Sequence, residues 1–494
     1  VGERDLKGPR GAARAPRPEG ASIAGWALLG LLLAALLVTA PVSAVGGAAA
    51  ERLWRLGAAA ALALAALACA RVLGRSLGAA APLWVAVWVF GSVAFAQVFW
   101  APGAAILMAA SALAFALVYG AETPVAEGPP EIWDAPESRA PARIALRWGP
   151  AGALLGVLAA AHPLYLGLLL PAWLAVPRGR SAGARGALVA GAVAALAGGL
   201  LLRAGFDPAH SAQLGGLGGL PLDRGLLAWN LAYFFAGRYG GVLVYCLPLL
   251  LGFLAPSWRA GRWSLPLAAG VISLGFLVLH PFAFAAPGGQ AAVLGNARFL
   301  PLYPALWFVG GRRARPAAAI AIAALAAAGM HAAWRLPPPH PGDGGLSAPA
   351  RRFLPPETSL RDLPGTVEVE HRGLRVRFLD AHAGPRTGGL RLRRGEEAQL
   401  LVGADSPLST LLAEFDRQAP SGLEVRGAEV GEILFRPDGR VAFELRPRGA
   451  RRHPTWWSRE PAHVYHLALR LPGEGAEVGF TLTPGGRARA GGGG

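Results

Sequence analysis

Every apolar run long enough to cross a hydrocarbon core lies before residue 337, and none lies after it. Runs such as 22–45, or the uncharged 316–334, reach the roughly 20 residues that cover a core of about 30 Å. A chain built this way folds as two unlike parts. The sequence divides into a basic tail at 1–21, a multi-span helical domain at 22–336 and a Pro/Gly-rich linker at 337–346. A water-soluble domain at 347–490 and a Gly tail at 491–494 complete the chain. The fold class expected is a polytopic α-helical membrane protein carrying a C-terminal extracytoplasmic antiparallel β-sandwich.

Composition agrees with the lipid bilayer as a partner. Gly (68) and Pro (42) are abundant, and both are tolerated in membrane helices more readily than in soluble ones. The net charge of +17 is concentrated in short loops of the first half. There it serves orientation and anionic head groups, and it is not read as a nucleic-acid footprint. Cys69 and Cys246 both sit inside apolar runs, which argues against a structural disulfide.

Ten candidate spans emerge from hydropathy: 22–45, 55–73, 81–99, 103–119, 148–176, 186–202, 240–255, 264–283, 299–310 and 316–334. Arg178, Arg180 and Arg185 fill one later loop, Arg259 and Arg262 another, and Arg312, Arg313 and Arg315 a third. The longer loops 203–225 and 284–298 carry few basic residues. By the positive-inside rule the Arg-rich loops face the cytoplasm of a bacterial inner membrane, and the long loops and the soluble domain lie outside. Residues 148–176 are too long for one upright pass and contain Pro150, Pro163 and Pro171. They read as two short helices meeting near His162-Pro163, which gives eleven crossings against ten for a single kinked pass.

In the soluble domain, β-rich runs at 366–370, 374–379, 398–402, 423–427, 432–436, 441–446, 463–470 and 477–483 alternate with turn signals such as Pro437-Asp438-Gly439. Trp456 and Trp457 stand in a loop, where burial is the commoner fate and sugar stacking the sharper one.

Two stretches carry polar groups to the outer membrane face. NLAYFFAGRYGG at 230–241 places Arg238 and Tyr239 beside Gly240-Gly241, where backbone and guanidinium can approach a phosphate together. An arginine snorkelling to the interface is the bland alternative. GNARFLPLYP at 295–304 brings Asn296 and Arg298 to a re-entry point that lines a cavity or forms a tight turn. His162 and His280 each precede a Pro at a span end, positions more often structural than catalytic. No spacing of metal ligands is present, so no metal site and no cofactor is predicted from motifs.

On these residues, together with 40–53 and GALLGVLAAAHP at 152–163, the chain resembles the GT-C superfamily of integral-membrane glycosyltransferases. The resemblance covers most of 40–310. It implies inverting transfer of a sugar from a polyprenyl-phosphate donor to an envelope glycan or lipid acceptor on the extracytoplasmic face. A carboxylate of the first outer loop would act as general base or hold a divalent cation, and basic groups would steady the phosphate. The carboxylate stays open between Asp5, Glu51 and Asp207, with Asp223 and His210 in the same loop as Asp207. Arg238, Tyr239, Asn296, Arg298 and His162 would bind substrate.

The chain departs from the family where its first outer loop should be long and doubly acidic. Loop 46–54 is short and holds only Glu51, which reads first as a partner of Arg52 or Arg55 and only second as a catalytic group. With Val1 at its start, this reads as a chain lacking an upstream helix and catalytic loop, or as a protein that does not catalyse. The alternative function is a non-enzymatic multi-span protein, a transporter or envelope assembly factor, that presents its β-domain outside.

Overall fold

A computed structural model describes residues 19–42, 49–120, 140–176, 181–206, 224–254, 262–280, 296–310, 316–330, 353–359, 367–380, 382–416, 422–448, 455, 457–473 and 477–485. The helical half contains α1 (Glu19–Val42), α2 (Ala49–Leu77), α3 (Ala81–Phe90), α4 (Gln97–Trp100), α5 (Pro102–Gly120), α6 (Ala140–Ala161) and α7 (Leu169–Leu174). It continues with α8 (Ser181–Phe206), α9 (Arg224–Ala236), α10 (Val242–Tyr245), α11 (Leu250–Leu254), α12 (Ser264–Leu279), α13 (Tyr303–Trp307) and α14 (Pro316–Met330). Among the described residues four helical stretches are long and apolar enough to cross a membrane: Ile23–Pro41, Ala49–Phe90, Pro102–Gly120 and Ala182–Leu201.

Helices α6 and α8 pack backbone to backbone. A Cβ added at Gly152 or Gly156 would strike the carbonyls of Leu188 or Ala192, and one at Gly191 would strike that of Gly149. Small residues at such spacing let helices approach closely where lipid offers no hydrophobic drive. The motif GALLG therefore has a packing function here.

Several expected spans are not continuous helices. Residues 240–255 break after α10 into a 3-10 turn, Leu247–Leu249, because Pro248 has no N–H to donate and its ring crowds the preceding turn. Residues 299–310 hold only the short α13 among turns, and 81–99 is interrupted between α3 and α4. The carbonyls released at these breaks find partners inside the protein. The Trp88 indole N–H donates to Pro248 O (2.9 Å), the Tyr303 hydroxyl to Trp88 O (3.0 Å) and Arg262 to Phe308 O (3.2 Å). Trp88 and Trp307 stack at 5.5 Å in the same core. Irregular backbone amid apolar helices persists only where such partners cover it. Residues 148–176 do break at His162, but the helix before the break begins at Ala140. After the break the chain makes a 3-10 turn, Pro163–Leu168, and then α7.

The C-terminal part is two antiparallel sheets. One has the order β1 (Val367–His371), β2 (Leu374–Phe378), β5 (Glu397–Ala404), β10 (His463–Arg470), β7 (Glu424–Arg426). The other runs β3 (Ala383–Arg386), β4 (Gly389–Arg393), β11 (Glu477–Gly485), β6 (Thr410–Phe415), β9 (Val441–Pro447), β8 (Ala428–Phe435). Val376, Phe378, Leu400, Val402 and Leu467 of the first sheet share one core with Leu392, Phe415, Phe443, Phe480 and Leu482 of the second. Gly439, at φ 83°, turns β8 into β9 as its Pro-Asp-Gly sequence requires.

Strand β5 is buried on both faces, which departs from the alternation of a half-exposed strand. Leu400 and Val402 face the sandwich core, whereas Leu401 joins Leu379 and Trp457 in the hydrophobic core of the helical half. The β-domain is thus docked onto the helices through the outer face of its first sheet, and Trp457 belongs to that contact.

Candidate functional site

The two polar stretches singled out in the sequence reach different surroundings. The turn after α9 forms a junction with the β-domain. Gly237 has no room for a side chain, since a Cβ there would strike Glu357 and Tyr233 O. The backbone N–H groups of Tyr239 (2.7 Å) and Gly240 (2.6 Å) both donate to Glu357 Oε1. Arg238 donates to Leu354 O (3.2 Å) and to Gln399 Oε1 on β5 (3.2 Å). The Tyr239 hydroxyl donates to Leu379 O (2.8 Å), and Ser359 donates to Asn230 Oδ1 (2.6 Å). Burial pushes the Glu357 carboxyl up to about 7, against the opposing pull of the two backbone donors and the Arg238 charge. Its Oε2 is buried without a partner, so a proton there would leave Oε1 as the acceptor of both backbone bonds.

The second constellation lies where the 3-10 turn after α6 meets the end of α12 and the segment before α13. His162 caps that turn, its Nδ1 accepting from Leu164 N (3.3 Å), and its Nε2 lies 3.1 Å from Nε2 of His280. An unprotonated Nδ1 puts the proton of neutral His162 on Nε2, so His162 donates to His280. The Tyr165 hydroxyl donates to Arg298 O (2.6 Å), and the Arg298 guanidinium sits 5.0 Å over the Phe276 ring. Asn296 adopts φ 58°, a left-handed conformation Asn tolerates, and its Oδ1 accepts from Phe299 N (3.2 Å).

Arg298 is 8 % exposed, yet its Nε and Nη1 have no hydrogen-bond partner, and Asn296 Nδ2 is likewise buried and unmatched. No ion pair joins Arg298 to a carboxylate among the described residues. A buried cation with unused donors is costly unless something anionic meets it.

Beside it, Phe299 forms one wall of an apolar groove of about 160 Å³ along α12, with Phe234, Phe253, Leu274 and Leu277. From Pro266 to Leu277 that groove runs along about 16 Å of helix toward the His280 end.

Of the residues the sequence nominated, the structure therefore joins His162 and Arg298, with Asn296 two residues before the arginine, and assigns Arg238 and Tyr239 to the junction. Glu51 pairs with Arg55 (2.5 Å) in the first turns of α2. Asp5 and Asp207, with His210 and Asp223, lie outside the described residues. Sequence reasoning missed Glu357: it is one acidic residue after two prolines, and its partners lie more than a hundred residues earlier. The His162–His280 pairing had a faint signal, the shared His-Pro dipeptide. Among the described residues no three His, Cys, Asp or Glu side chains converge as metal ligands would.

No protein-family model matches this chain, and neither does any curated protein or solved structure.

Proposed function

We propose that the helical half is a GT-C-like membrane glycosyltransferase, moving a sugar from a polyprenyl-phosphate donor to an envelope glycan or glycolipid on the extracytoplasmic face of a bacterial inner membrane. One observation carries the reading: Arg298 is a buried cation with two unused N–H donors, and the next residue in the chain, Phe299, lines an apolar groove. A lipid phosphate answers both features, its anion meeting the guanidinium and its tail covering the groove. In the transfer, an acceptor hydroxyl oxygen bonds to the anomeric carbon as the bond from that carbon to the phosphate oxygen breaks. The electron pair leaves on the phosphate, and the hydroxyl proton passes to a base. Arg298 would stabilise the charge growing on the leaving phosphate. The base would be a carboxylate from Asp5, Glu51 or Asp207, and Asn296 and His162 would orient the head group.

The second reading is a non-enzymatic membrane protein that presents its β-domain outside. It is favoured by the commitment of Glu51 to Arg55 and of Arg238 and Tyr239 to holding the β-domain. The test is transfer of radiolabel from polyprenyl-phosphate sugars to envelope acceptors in membranes containing the full-length protein. Transfer that is lost in Arg298→Ala and partly kept in Arg298→Lys supports the transferase. A folded, inserted protein that transfers from no donor leaves the second reading in its place.

A further inference from the structure

A cavity of about 570 Å³ opens where α9, residues 353–358 and strands β5, β7 and β10 meet, within the size range of small-molecule sites and at a domain boundary, where such sites concentrate. Arg238, Arg426, Arg448 and His466 line it, and no Asp or Glu is among its lining residues that are described. Arg426 is held by Glu397 from outside the cavity. Arg238 donates to two neutral acceptors, Leu354 O and Gln399 Oε1. Arg448 is exposed and pairs with no carboxylate among the described residues.

The chain brings the two β-domain arginines to one lip through Gly427. At φ 88° this residue lies so close to His466 O that no side chain fits, and its carbonyl accepts from Arg448 N (2.9 Å). The same cavity is lined by two aromatic side chains, the half-buried Trp229 and Phe353, which is 83 % exposed. Guanidinium groups select planar or tetrahedral oxyanions through paired N–H donors, and an aromatic face covers the apolar C–H side of a ring.

We infer that this junction cavity binds an anionic saccharide, with its carboxylate or phosphate on Arg426 and Arg448 and its ring against Trp229. The site uses none of the residues assigned to the lipid phosphate and goes beyond that reading.

The experiment is calorimetric titration of the full chain in phosphatidylcholine nanodiscs with trigalacturonate, glucose 6-phosphate and maltotriose. At least one of the two anionic sugars should bind about tenfold or more tightly than neutral maltotriose, as expected for one or two charge-assisted hydrogen bonds. Which one does so names the charge. Arg448→Ala should weaken that binding about tenfold with the melting temperature unchanged, and Arg426→Gln should act in the same direction. Arg448→Ala alone keeps the test valid if loss of the Glu397 pair disturbs the second variant.

Arg298→Ala should bind the sugar as the parent does, so failure of the lipid-phosphate reading leaves this site standing. Equal binding of charged and neutral sugars, no binding of either anion, indifference to Arg448→Ala, or loss of binding in Arg298→Ala would each overturn the inference.

Discussion

Arg238 and Arg298 come from similar sequence. Each lies beside a Gly- or Asn-containing turn, each precedes an aromatic residue, and each is almost fully buried, at 4 % and 8 % exposure. Their surroundings are opposite. Arg238 donates to a backbone carbonyl and a glutamine, which bind the helices to β5. The Arg298 Nε and Nη1 end on nothing, over an aromatic ring and beside a histidine pair. Burial of a cation therefore does not separate structural from ligand-binding roles; an account of its five donors does.

The comparison can be broken at either arginine. The largest effect is expected at the junction itself. Glu357→Ala orphans two buried N–H groups and should cost about 2–6 kcal/mol of docking stability, read as a lower melting temperature and faster hydrogen exchange at Tyr239 and Gly240. Arg298→Ala should lower sugar transfer about 10²- to 10³-fold, while the melting temperature stays level or rises because an unpaired buried charge is gone. Arg238→Ala should do the reverse, losing about 1–3 kcal/mol of stability and affecting transfer only as far as the junction loosens. A shared phenotype in the two variants would dissolve the distinction.

Acidity offers a milder probe. The Glu357 carboxyl is raised from its ordinary 4.5 to about 7, so the docked state holds the proton more tightly than the separated one. Docking stability from this group is full below about 4.5, declines as pH rises and is lost above about 7. Hydrogen exchange at Gly240 across that range should report it, and Glu357→Gln should flatten the profile. The smallest effect is expected from Tyr165→Phe, which removes the hydroxyl on Arg298 O. About 1 kcal/mol should appear as a severalfold rise in donor KM with kcat nearly intact, since the tyrosine positions the arginine without touching phosphate.

Much of the β-domain was legible because local pattern governs strands. Strands β1, β2, β5 and β7 through β11 fall on runs visible in the sequence. Three strands escaped. β3 contains Gly384 and Pro385, β4 is five residues long with Gly389 at its start, and β6, TLLAEF, has an apolar pair that blurs a period of two. The helical half was legible as apolar length but not as helix bounds. Pro248 and the turns around α13 interrupt segments whose hydropathy alone reads as continuous.

The sequence alone determined that this chain has two parts of different solvent preference, that the second is antiparallel β, and that the two Gly- and Arg-bearing turns are unusual. Those properties depend on side-chain hydropathy and backbone preference within a few residues. Only the tertiary structure decided which turn became a joint and which kept an open cation. Glu357 lies 117 residues from Gly240 and His280 lies 118 from His162, so neither pairing leaves a local trace. Hydrogen-bond satisfaction is a property of neighbours in space, and it is set when β5 packs both its faces at once.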